Sequence, residues 1–339
     1  MVRVAVLSDS SLQRHVLQQA LSGQGYQIVM NTDPERILVA DAQACEADVW
    51  LVTVSQANDT ECPILDYLYE TAIPVLFGEE EAPERSSEDY ARWERSLFSK
   101  LDKLMLHPTG QAVVSAVSQS EVSRLVAPES LEPMMHQNQP AKEVWLLAAS
   151  LGGPAAVKEF LDTLPGGLPI GFLYAQHIDS AFEENLPQAV GRHSDWHVRL
   201  ANHHEVIRGG EVVIVPIQNE LDFFPNGQLR VLTTPWVGEY SPCINQVVVN
   251  LTRCFGARSG IIVFSGMGSD GAESCEYAHA QGAKIWIQSE QSCACASMPD
   301  SVRKTGLISY NSTPRRLAMA MLTHLITGYA TDAVRITNV

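Results

Sequence analysis

Residues 144–154 are Val-Trp-Leu-Leu-Ala-Ala-Ser-Leu-Gly-Gly-Pro, an apolar run that ends in a serine and a glycine-rich turn. A continuous apolar run is typical of a strand that is buried on both faces of a parallel sheet. Pro154 suits the first turn of a helix, where a backbone N–H has no partner within the helix. The stretch therefore predicts a strand, a tight turn and a helix in succession, with Ser150 at the carboxyl end of the strand.

A second turn of this kind, residues 265–272 (Ser-Gly-Met-Gly-Ser-Asp-Gly-Ala), follows the apolar run 260–264. A third apolar run, 170–175, is followed by Gln176 and His177. In an open parallel sheet, functional groups gather beyond the carboxyl ends of the strands. We therefore expect the two turns and His177 to face one crevice.

The candidate catalytic residues are Ser150, His177 and Asp270, each of which follows a predicted strand. A serine is a weak nucleophile until a base takes its proton, and His177 is the candidate base. Asp270 is the candidate for orienting the imidazole and stabilising its cationic form. The free N–H groups at the start of the helix after Ser150 would stabilise a developing oxyanion.

Each of these residues also has a structural interpretation, and spacing alone leaves both interpretations open. The glycines after Ser150 could simply begin a helix, Asp270 could be a helix N-cap, and His177 could be a hydrogen-bonded core residue. The chain order Ser, His, Asp differs from that of the α/β-hydrolases, and there is no G-x-S-x-G elbow. The sequence therefore disfavours that large family.

Strands and helices alternate along most of the chain, which predicts α/β domains with parallel sheets. The 339 residues suit two domains. We expect a first domain over residues 1–106, a linker over 107–140 with one helix near 111–126, and a second domain over 141–330. The predicted strands are 2–7, 26–30, 48–54, 73–77, 144–149, 170–175, 211–215, 260–264 and 284–288, and the predicted helices include 10–22, 87–106, 181–192, 243–254, 271–281 and 314–326.

The composition excludes several classes of protein. A formal net charge of −16 argues against a nucleic-acid binder, which needs a concentrated basic face. No apolar run approaches the roughly 20 residues needed to span a bilayer. The apolar N-terminal run is too short for a signal-peptide core, so we expect a cytoplasmic protein without membrane insertion.

The sequence predicts no metal site and no cofactor. The seven cysteines are odd in number and mostly scattered, which indicates free thiols. Cys293 and Cys295 form a lone C-x-C, which is a poor metal site without a second cluster. His203 and His204 have no carboxylate or cysteine at ligand spacing, so we expect loop histidines.

Residues 143 to about 326 resemble the catalytic domain of CheB, the protein-glutamate methylesterase of bacterial chemotaxis. The G-M-G-x-D-G-A turn is the most specific match, and all five segments occur in the family's order. The matching segments are Ser150-Leu-Gly-Gly-Pro154, Gln176-His177, Val212-Val-Ile-Val-Pro216, Ser265-Gly-Met-Gly-Ser-Asp-Gly-Ala272, and Gln288-Ser-Glu-Gln-Ser292 with Met298-Pro299.

The resemblance implies a doubly wound parallel α/β methylesterase domain and a Ser-His-Asp triad. By it, Ser150 is the nucleophile, His177 the general base and acid, and Asp270 the orienting carboxylate. The backbone N–H groups of Leu151 and Met267 are then the oxyanion donors. The implied substrate is the cytoplasmic domain of a methyl-accepting chemoreceptor, whose glutamate methyl esters are hydrolysed and whose glutamines can be deamidated.

The triad residues match the family pattern, but several residues around them depart from it. They put receptor choice and rate in doubt. The departures are Leu151 for Thr or Ala, Ile178-Asp179 for Met-Pro, Ile217 and Glu220 for Gly and His, Pro242-Cys-Ile-Asn245 for P-S-V-D, Ser289 for an acid, and Ser297 for Gly.

The N-terminal domain resembles a receiver, which has a flavodoxin-like parallel sheet, but in degenerate form. The acidic pair after the first strand is Ser8-Asp9, and Thr53 stands where the phosphoacceptor aspartate is expected. An acidic cluster is needed to hold Mg²⁺, so we predict neither a Mg²⁺ site nor aspartyl phosphorylation. Three roles stay open: docking of a partner such as a chemosensory histidine kinase or scaffold, inhibition by another trigger, or an esterase that is always active. Such variants suit alternative chemosensory pathways, such as those that control type IV pili.

Two other hypotheses compete with the methylesterase. The first is a non-catalytic docking or adaptor protein of the same pathway, which the altered rim favours and the intact triad opposes. The second is a nucleotide-binding α/β protein, which would need a G-x-G-x-x-G turn or a P-loop lysine. Residues 266–271 have the G-x-G-x-x-G spacing but belong to the G-M-G-x-D-G-A segment that matches the methylesterase family, and neither glycine-rich turn contains a P-loop lysine.

Overall fold

A computed structural model describes residues 1–54, 63–71, 73–77, 82–83, 87, 89–106, 125–127, 131 and 139–336. The predicted helix near 111–126 lies almost wholly outside these residues. The chain divides into two compact units, Met1–Val117 with Ile178–Asn185 and Ser118–His177 with Leu186–Val339. In the described part of the chain, no helix is both long and apolar enough to cross a membrane.

The first unit contains a parallel sheet with the strand order β2-β1-β3-β4 among the described residues. This is the order of a flavodoxin-like fold, as the sequence predicts. Val4–Leu7 and Val49–Val52 have no exposed surface, because helices cover both faces of the sheet. The elements are β1 (Arg3–Ser8), α1 (Ser11–Gly23), β2 (Gln27–Thr32), α2 (Val39–Ala44), β3 (Val49–Thr53), α3 (Pro63–Glu70), β4 (Val75–Phe77) and α4 (Tyr90–Leu106).

The second unit contains a seven-stranded sheet with the order β13-β12-β11-β5-β6-β8-β7. Its neighbouring strands all run parallel, and β9 and β10 form a separate antiparallel hairpin. The strands are β5 (Glu143–Ala149), β6 (Ile170–Gln176), β7 (His197–Leu200), β8 (Glu211–Ile214), β9 (Asn219–Phe223), β10 (Leu229–Pro235), β11 (Ser259–Val263), β12 (Lys284–Gln288) and β13 (Tyr310–Ser312). The α-helices are α5 (Gly153–Thr163), α6 (Leu186–Gly191), α7 (Ile244–Phe255), α8 (Cys275–Ala280), α9 (Ser297–Arg303) and α10 (Pro314–Ile336).

Three adjacent strands in the middle of this sheet carry the predicted site. Strand β5 pairs with β6 on one side and with β11 on the other. Ala149 at the end of β5 lies opposite Gln176, and Ala148 lies opposite Val263. The strands are buried throughout, which confirms the prediction from their apolar runs. Their aligned carboxyl ends bring the three turns that follow them to one edge of the sheet.

Two predicted helices differ from those observed. The helix expected over 181–192 is a 3-10 stretch, Ser180–Asn185, followed by α6. Pro187 lies in the first turn of α6 and has no N–H, so it cannot donate to a preceding helical turn. The helix expected over 271–281 begins only at Cys275, because Gly271 adopts a φ of 96°, which lies outside the helical region.

The amino end of β5 is fixed by a half-buried carboxylate. Glu143 Oε2 accepts hydrogen bonds from His324 Nε2 at 2.9 Å and from Trp145 Nε1 at 3.0 Å. Trp145 is fully buried and packs against Trp286, with ring centroids 4.7 Å apart. Burial works to raise the pKa of Glu143, but the hydrogen bond and charge of His324, with the bond from Trp145, hold this pKa below its ordinary value. The group therefore ties α10 to the central strand.

Replacing Glu143 with Gln should lower the free energy of unfolding by about 1–2 kcal/mol at neutral pH. Because the folded-state pKa lies below the ordinary value of 4.5, the contribution of the carboxylate is present above that pH and is lost as the pH falls through the folded-state pKa. Urea unfolding at neutral pH and at about pH 3, followed by tryptophan fluorescence, measures both effects.

Glu205→Gln is the matched control, because the Glu205 side chain, which pairs with Arg199, is 42% exposed. Its effect should stay within about 0.5 kcal/mol. Equal losses in the two variants would contradict the assigned role of Glu143.

Candidate functional site

Ser150 lies in the turn between β5 and α5. Gly152, the N-cap of α5, has a φ of 76°, in the left-handed region that favours glycine. A Cβ atom at Gly152 would lie 2.5 Å from the Cβ of Ala294, so the turn also lacks room for a side chain. The sequence therefore needs glycine here to present Ser150, which is half-buried, at the strand end.

Hydrogen bonds join the turn after β5 to the turn after β11. The Ser150 N–H donates to the Ser265 carbonyl at 3.1 Å, and Ser265 Oγ donates to the Leu151 carbonyl at 2.7 Å. Gln288 Oε1 accepts from the Ser265 N–H at 2.8 Å. Ser265 and Gln288 are almost fully buried, so these bonds are shielded from water. The two turns therefore form one rigid element.

Gln176 connects the serine turn to the candidate base. Its Nε2 donates to the Ser150 carbonyl at 2.8 Å and to the His177 carbonyl at 2.9 Å. Its Oε1 accepts from the Tyr174 hydroxyl at 2.7 Å. Gln176 is 3% exposed, so the whole amide is committed to these partners. These hydrogen bonds explain why a glutamine precedes the histidine in the Gln176-His177 pair.

Asp270 contacts His177 and also caps a helix. Its Oδ2 lies 3.1 Å from His177 Nε2 and accepts from the Ile244 N–H at 2.7 Å. Its Oδ1 accepts from the Asn245 N–H at 2.9 Å. Both N–H groups belong to the first turn of α7, whose N-terminus favours negative charge. Asp270 therefore does not cap the helix that follows it, whose N-cap is Ser274, and instead joins the start of α7 to His177.

The hydrogen bonds of His177 define which ring nitrogen carries the proton. Nε2 lies 3.1 Å from both Asp270 Oδ2 and the Pro242 carbonyl oxygen, and a carbonyl oxygen can only accept. Nε2 therefore holds the proton in the neutral ring. Among the described residues Nδ1 has no hydrogen-bond partner, which leaves it free to accept a proton.

Ser150 and His177 lie at the ends of adjacent paired strands. The His177 N–H donates to the Ala149 carbonyl at 3.0 Å, and Gln176 binds the carbonyls of both residues. Between their side chains no direct hydrogen bond is present in the described part of the chain. Hydrogen bonds between catalytic groups are often long before substrate binds, so the absence of a direct bond is compatible with a nucleophile and its base.

Two backbone N–H groups beside Ser150 are unpaired. On either side of Met267, the Gly266 N–H donates to Cys295 O at 2.9 Å and the Gly268 N–H donates to Ser297 Oγ at 3.0 Å. Over the residues that the structure describes, the N–H groups of Leu151 and Met267 have no partner. These are the two groups that the resemblance implies as oxyanion donors. Their free state fits an anion that arrives only during reaction.

Tyr240, which no sequence motif includes, and Cys243 lie near the triad residues. The ring of Tyr240 lies parallel to the imidazole of His177, with centroids 5.0 Å apart and planes 10° apart. Burial raises the pKa of Tyr240, and the charges of Asp270 and Glu239 add to the effect. Burial likewise raises the pKa of the Cys243 thiol, which disfavours a thiolate. No local sequence pattern marks these contacts between distant segments.

The pocket expected for Mg²⁺ in a receiver does not fit that ion here. Ser8 and Thr53 lie opposite each other on β1 and β3, and both are buried. The Arg14 guanidinium donates to the Ser8 carbonyl and lies 3.5 Å from Asp33. Mg²⁺ needs carboxylate oxygens, and a fixed cation next to the pocket opposes it. In the described ranges, no group of three or more His, Cys, Asp or Glu could hold a metal ion.

Comparisons with known proteins agree with the geometry. The CheB methylesterase family model matches residues 145–321. A protein-glutamate methylesterase/protein-glutamine glutaminase 1 of Saccharophagus degradans is 31% identical over 188 residues, which are 55% of this chain and 52% of that protein. A protein-glutamate methylesterase/protein-glutamine glutaminase of Aliivibrio fischeri is 30% identical over 179 residues, 52% of this chain and 48% of that protein. The chain thus spans about half the length of the curated relatives it matches.

The fold of the second unit also has a solved counterpart. The crystal structure of the Thermotoga maritima CheB methylesterase catalytic domain superposes with a TM-score of 0.51 and 19% identity. The match covers 54% of this chain and 98% of that one. At this identity the likeness concerns the fold alone, and it supports the predicted parallel α/β catalytic domain.

Gln176→Leu should lower the free energy of unfolding by about 2–3 kcal/mol, because it removes the hydrogen bonds that the buried amide makes with the Ser150 and His177 carbonyls and the Tyr174 hydroxyl. Urea unfolding of the full chain measures this loss. Gln188→Leu, an exposed position on α6, is the control and should change the value by less than about 0.5 kcal/mol.

Adding Tyr174→Phe to Gln176→Leu tests the shared network. Because Tyr174 and Gln176 share one hydrogen bond, the double variant should lose less than the sum of the single losses. A strictly additive result would contradict the coupling of Tyr174 and Gln176.

Proposed function

Because the chain belongs to the CheB methylesterase family, we propose that it hydrolyses glutamate methyl esters on the cytoplasmic domain of a bacterial chemoreceptor. The hydrogen bonding of His177 carries the proposal most directly, since it leaves Nδ1 as a free proton acceptor while Asp270 holds Nε2. The names of the relatives from Saccharophagus degradans and Aliivibrio fischeri support the same activity.

In the proposed reaction Ser150 is the nucleophile and His177 the general base. His177 Nδ1 takes the proton of Ser150 Oγ as this oxygen bonds to the ester carbonyl carbon. The carbonyl electron pair moves onto oxygen, and the N–H groups of Leu151 and Met267 bind the oxyanion. Asp270 stabilises the imidazolium. When the carbonyl re-forms, the bond to the methoxy group breaks and the imidazolium proton leaves with it as methanol.

The acyl-enzyme is then hydrolysed by the same groups in reverse roles. Water attacks the ester carbon while His177 Nδ1 accepts one of its protons. Collapse of the second tetrahedral intermediate returns that proton to Ser150 Oγ and releases a free glutamate. A receptor glutamine would pass through the same intermediates and release ammonia, so we include deamidation in the proposal. The reaction draws on no cofactor or metal chemistry.

The adaptor hypothesis receives less support than the enzyme. A docking surface needs neither a carboxylate held on an imidazole nor unpaired N–H groups beside a serine. The unpaired N–H groups cost stability unless they act on a ligand, because polar groups without partners are unfavourable. For the first unit, we propose docking of a chemosensory histidine kinase or scaffold in the cytoplasm, without aspartyl phosphorylation.

Ser150→Ala should lower methanol release by at least about 10³-fold, because the variant lacks the attacking oxygen. The substrate is a receptor cytoplasmic fragment from the same organism, methylated on its glutamates. Ser309→Ala, at an exposed position ahead of β13, is the matched control and should retain full activity. No release by any folded protein would favour the adaptor.

The serine at position 297 should matter for rate, although relatives of this family usually have glycine there. Ser297 Oγ accepts from the Gly268 N–H at 3.0 Å and donates to the Gly266 carbonyl at 3.2 Å, so it brackets Met267. Ser297→Gly should lower kcat about tenfold with little change in KM, because the Met267 N–H is held less firmly on the oxyanion. Steady-state methanol release gives both constants, and an unchanged kcat would contradict the role.

A further inference from the structure

The ring of Tyr240 packs against one face of the His177 imidazole. Nε2 is fixed by Asp270 and the Pro242 carbonyl, but bonds at one atom still allow the ring to rock about that atom. The parallel phenol ring, 5.0 Å away, limits this motion. We propose that Tyr240 is a positioning residue that holds the imidazole plane, so that Nδ1 stays aimed at Ser150; the inference rests on the proposed function.

The ring of Tyr240 also suits the charge that His177 acquires. As Nδ1 takes the serine proton, positive charge develops over the imidazole, and the negative face of an aromatic ring attracts a cation. The His177 side chain is only 12% exposed, so water screens this attraction weakly. The contact is therefore stronger in the transition state than in the ground state, which is the condition for raising kcat.

The structure fixes Tyr240 at both of its ends. A Cβ atom at Gly268 would lie 3.0 Å from the Tyr240 hydroxyl, so the absence of a side chain there makes room for the phenol. The Trp236 side chain is buried and its Nε1 donates to the Pro216 carbonyl at 3.0 Å, while Pro242 is buried beside His177. The segment between these anchors presents Tyr240 across the imidazole.

The phenol ring, not its hydroxyl, carries the proposed role. Burial and the neighbouring charges of Asp270 and Glu239 favour the neutral phenol. The hydroxyl lies over Gly268, whereas the ring covers His177. Phenylalanine keeps the stacked face and leucine removes it at similar bulk, so the two substitutions separate ring from hydroxyl.

The test compares full-length wild type, Tyr240→Leu, Tyr240→Phe and the control Tyr277→Leu, which changes an exposed tyrosine on α8. In methanol release from the methylated receptor fragment, Tyr240→Leu should lose about tenfold in kcat with KM within about twofold, the size expected for a lost cation–aromatic contact. Tyr240→Phe should recover most of this loss. Wild-type kcat in Tyr240→Leu, or equal losses in Leu and Phe, would overturn the proposal.

A spectroscopic readout checks the stack without substrate. The carbon-bound protons of the His177 ring, assigned by comparison with His177→Gln, should show an upfield ring-current shift that is lost in Tyr240→Leu and kept in Tyr240→Phe. Identical shifts in wild type and Tyr240→Leu would overturn the proposal. The other histidine signals should stay unchanged, which shows that the variant is folded.

Failure of the proposed function is distinguishable from failure of this inference. If wild type releases no methanol, the rate at which a fluorophosphonate labels Ser150 reports how well His177 activates the serine. A labelling rate that falls about tenfold in Tyr240→Leu but not in Tyr240→Phe supports the positioning role. Equal labelling rates in all three proteins overturn it.

Discussion

The buried carboxylate of Asp270 is the group on which the rest of the site depends. An unpaired carboxylate in this position would be very costly, and the chain offsets that cost with the first two N–H groups of α7 and the Nε2–H of His177. One residue therefore joins the turn after β11, the start of α7 and the histidine at the end of β6. If it moved, the imidazole would lose both its tautomer and its orientation, because the Pro242 carbonyl belongs to the same helix entry.

Main-chain groups explain why the segment Pro242–Asn245 can depart from the family pattern without dismantling the site. Ile244 and Asn245 act on Asp270 through their backbone N–H groups, so their side chains can change while the helix starts at the same residue. Asn245 stands where the family has an aspartate, and its Oδ1 still provides an acceptor, which binds the Ser274 N–H at 3.0 Å. The two glycine-rich turns are joined in the same manner, with Ser150 N–H bonded to the Ser265 carbonyl. Variation at the rim is thus compatible with an unaltered catalytic frame.

The sequence could predict those elements whose residue pattern lies within one short stretch of the chain. Strands β5, β6 and β11 are buried on both faces, so their apolar runs identify them, and parallel pairing then places Ser150, His177 and Asp270 at one edge. The hairpin of β9 and β10 escaped prediction because its strands mix polar and apolar residues and are partly exposed. The start of α8 was misplaced because the left-handed backbone of Gly271 leaves no periodic mark. Tyr240 could not be found at all, since its stacking on His177 joins segments that only the tertiary fold brings together.

The location of these contacts bears on how such an enzyme could be controlled. The hydrogen bonds that orient Ser150, His177 and Asp270 come from the second unit, including those of Gln176, Ser265 and the start of α7. Among the described residues, these hydrogen bonds of Ser150, His177 and Asp270 therefore involve no residue of the first unit. There, Thr53 ends β3 with its hydroxyl buried and without a partner among the described residues, next to Ser8, whose carbonyl binds the Arg14 guanidinium. At the end of β3 this unit therefore offers the single hydroxyl of Thr53 in place of a carboxylate, and a hydroxyl lacks the pair of charged oxygens with which a carboxylate holds Mg²⁺.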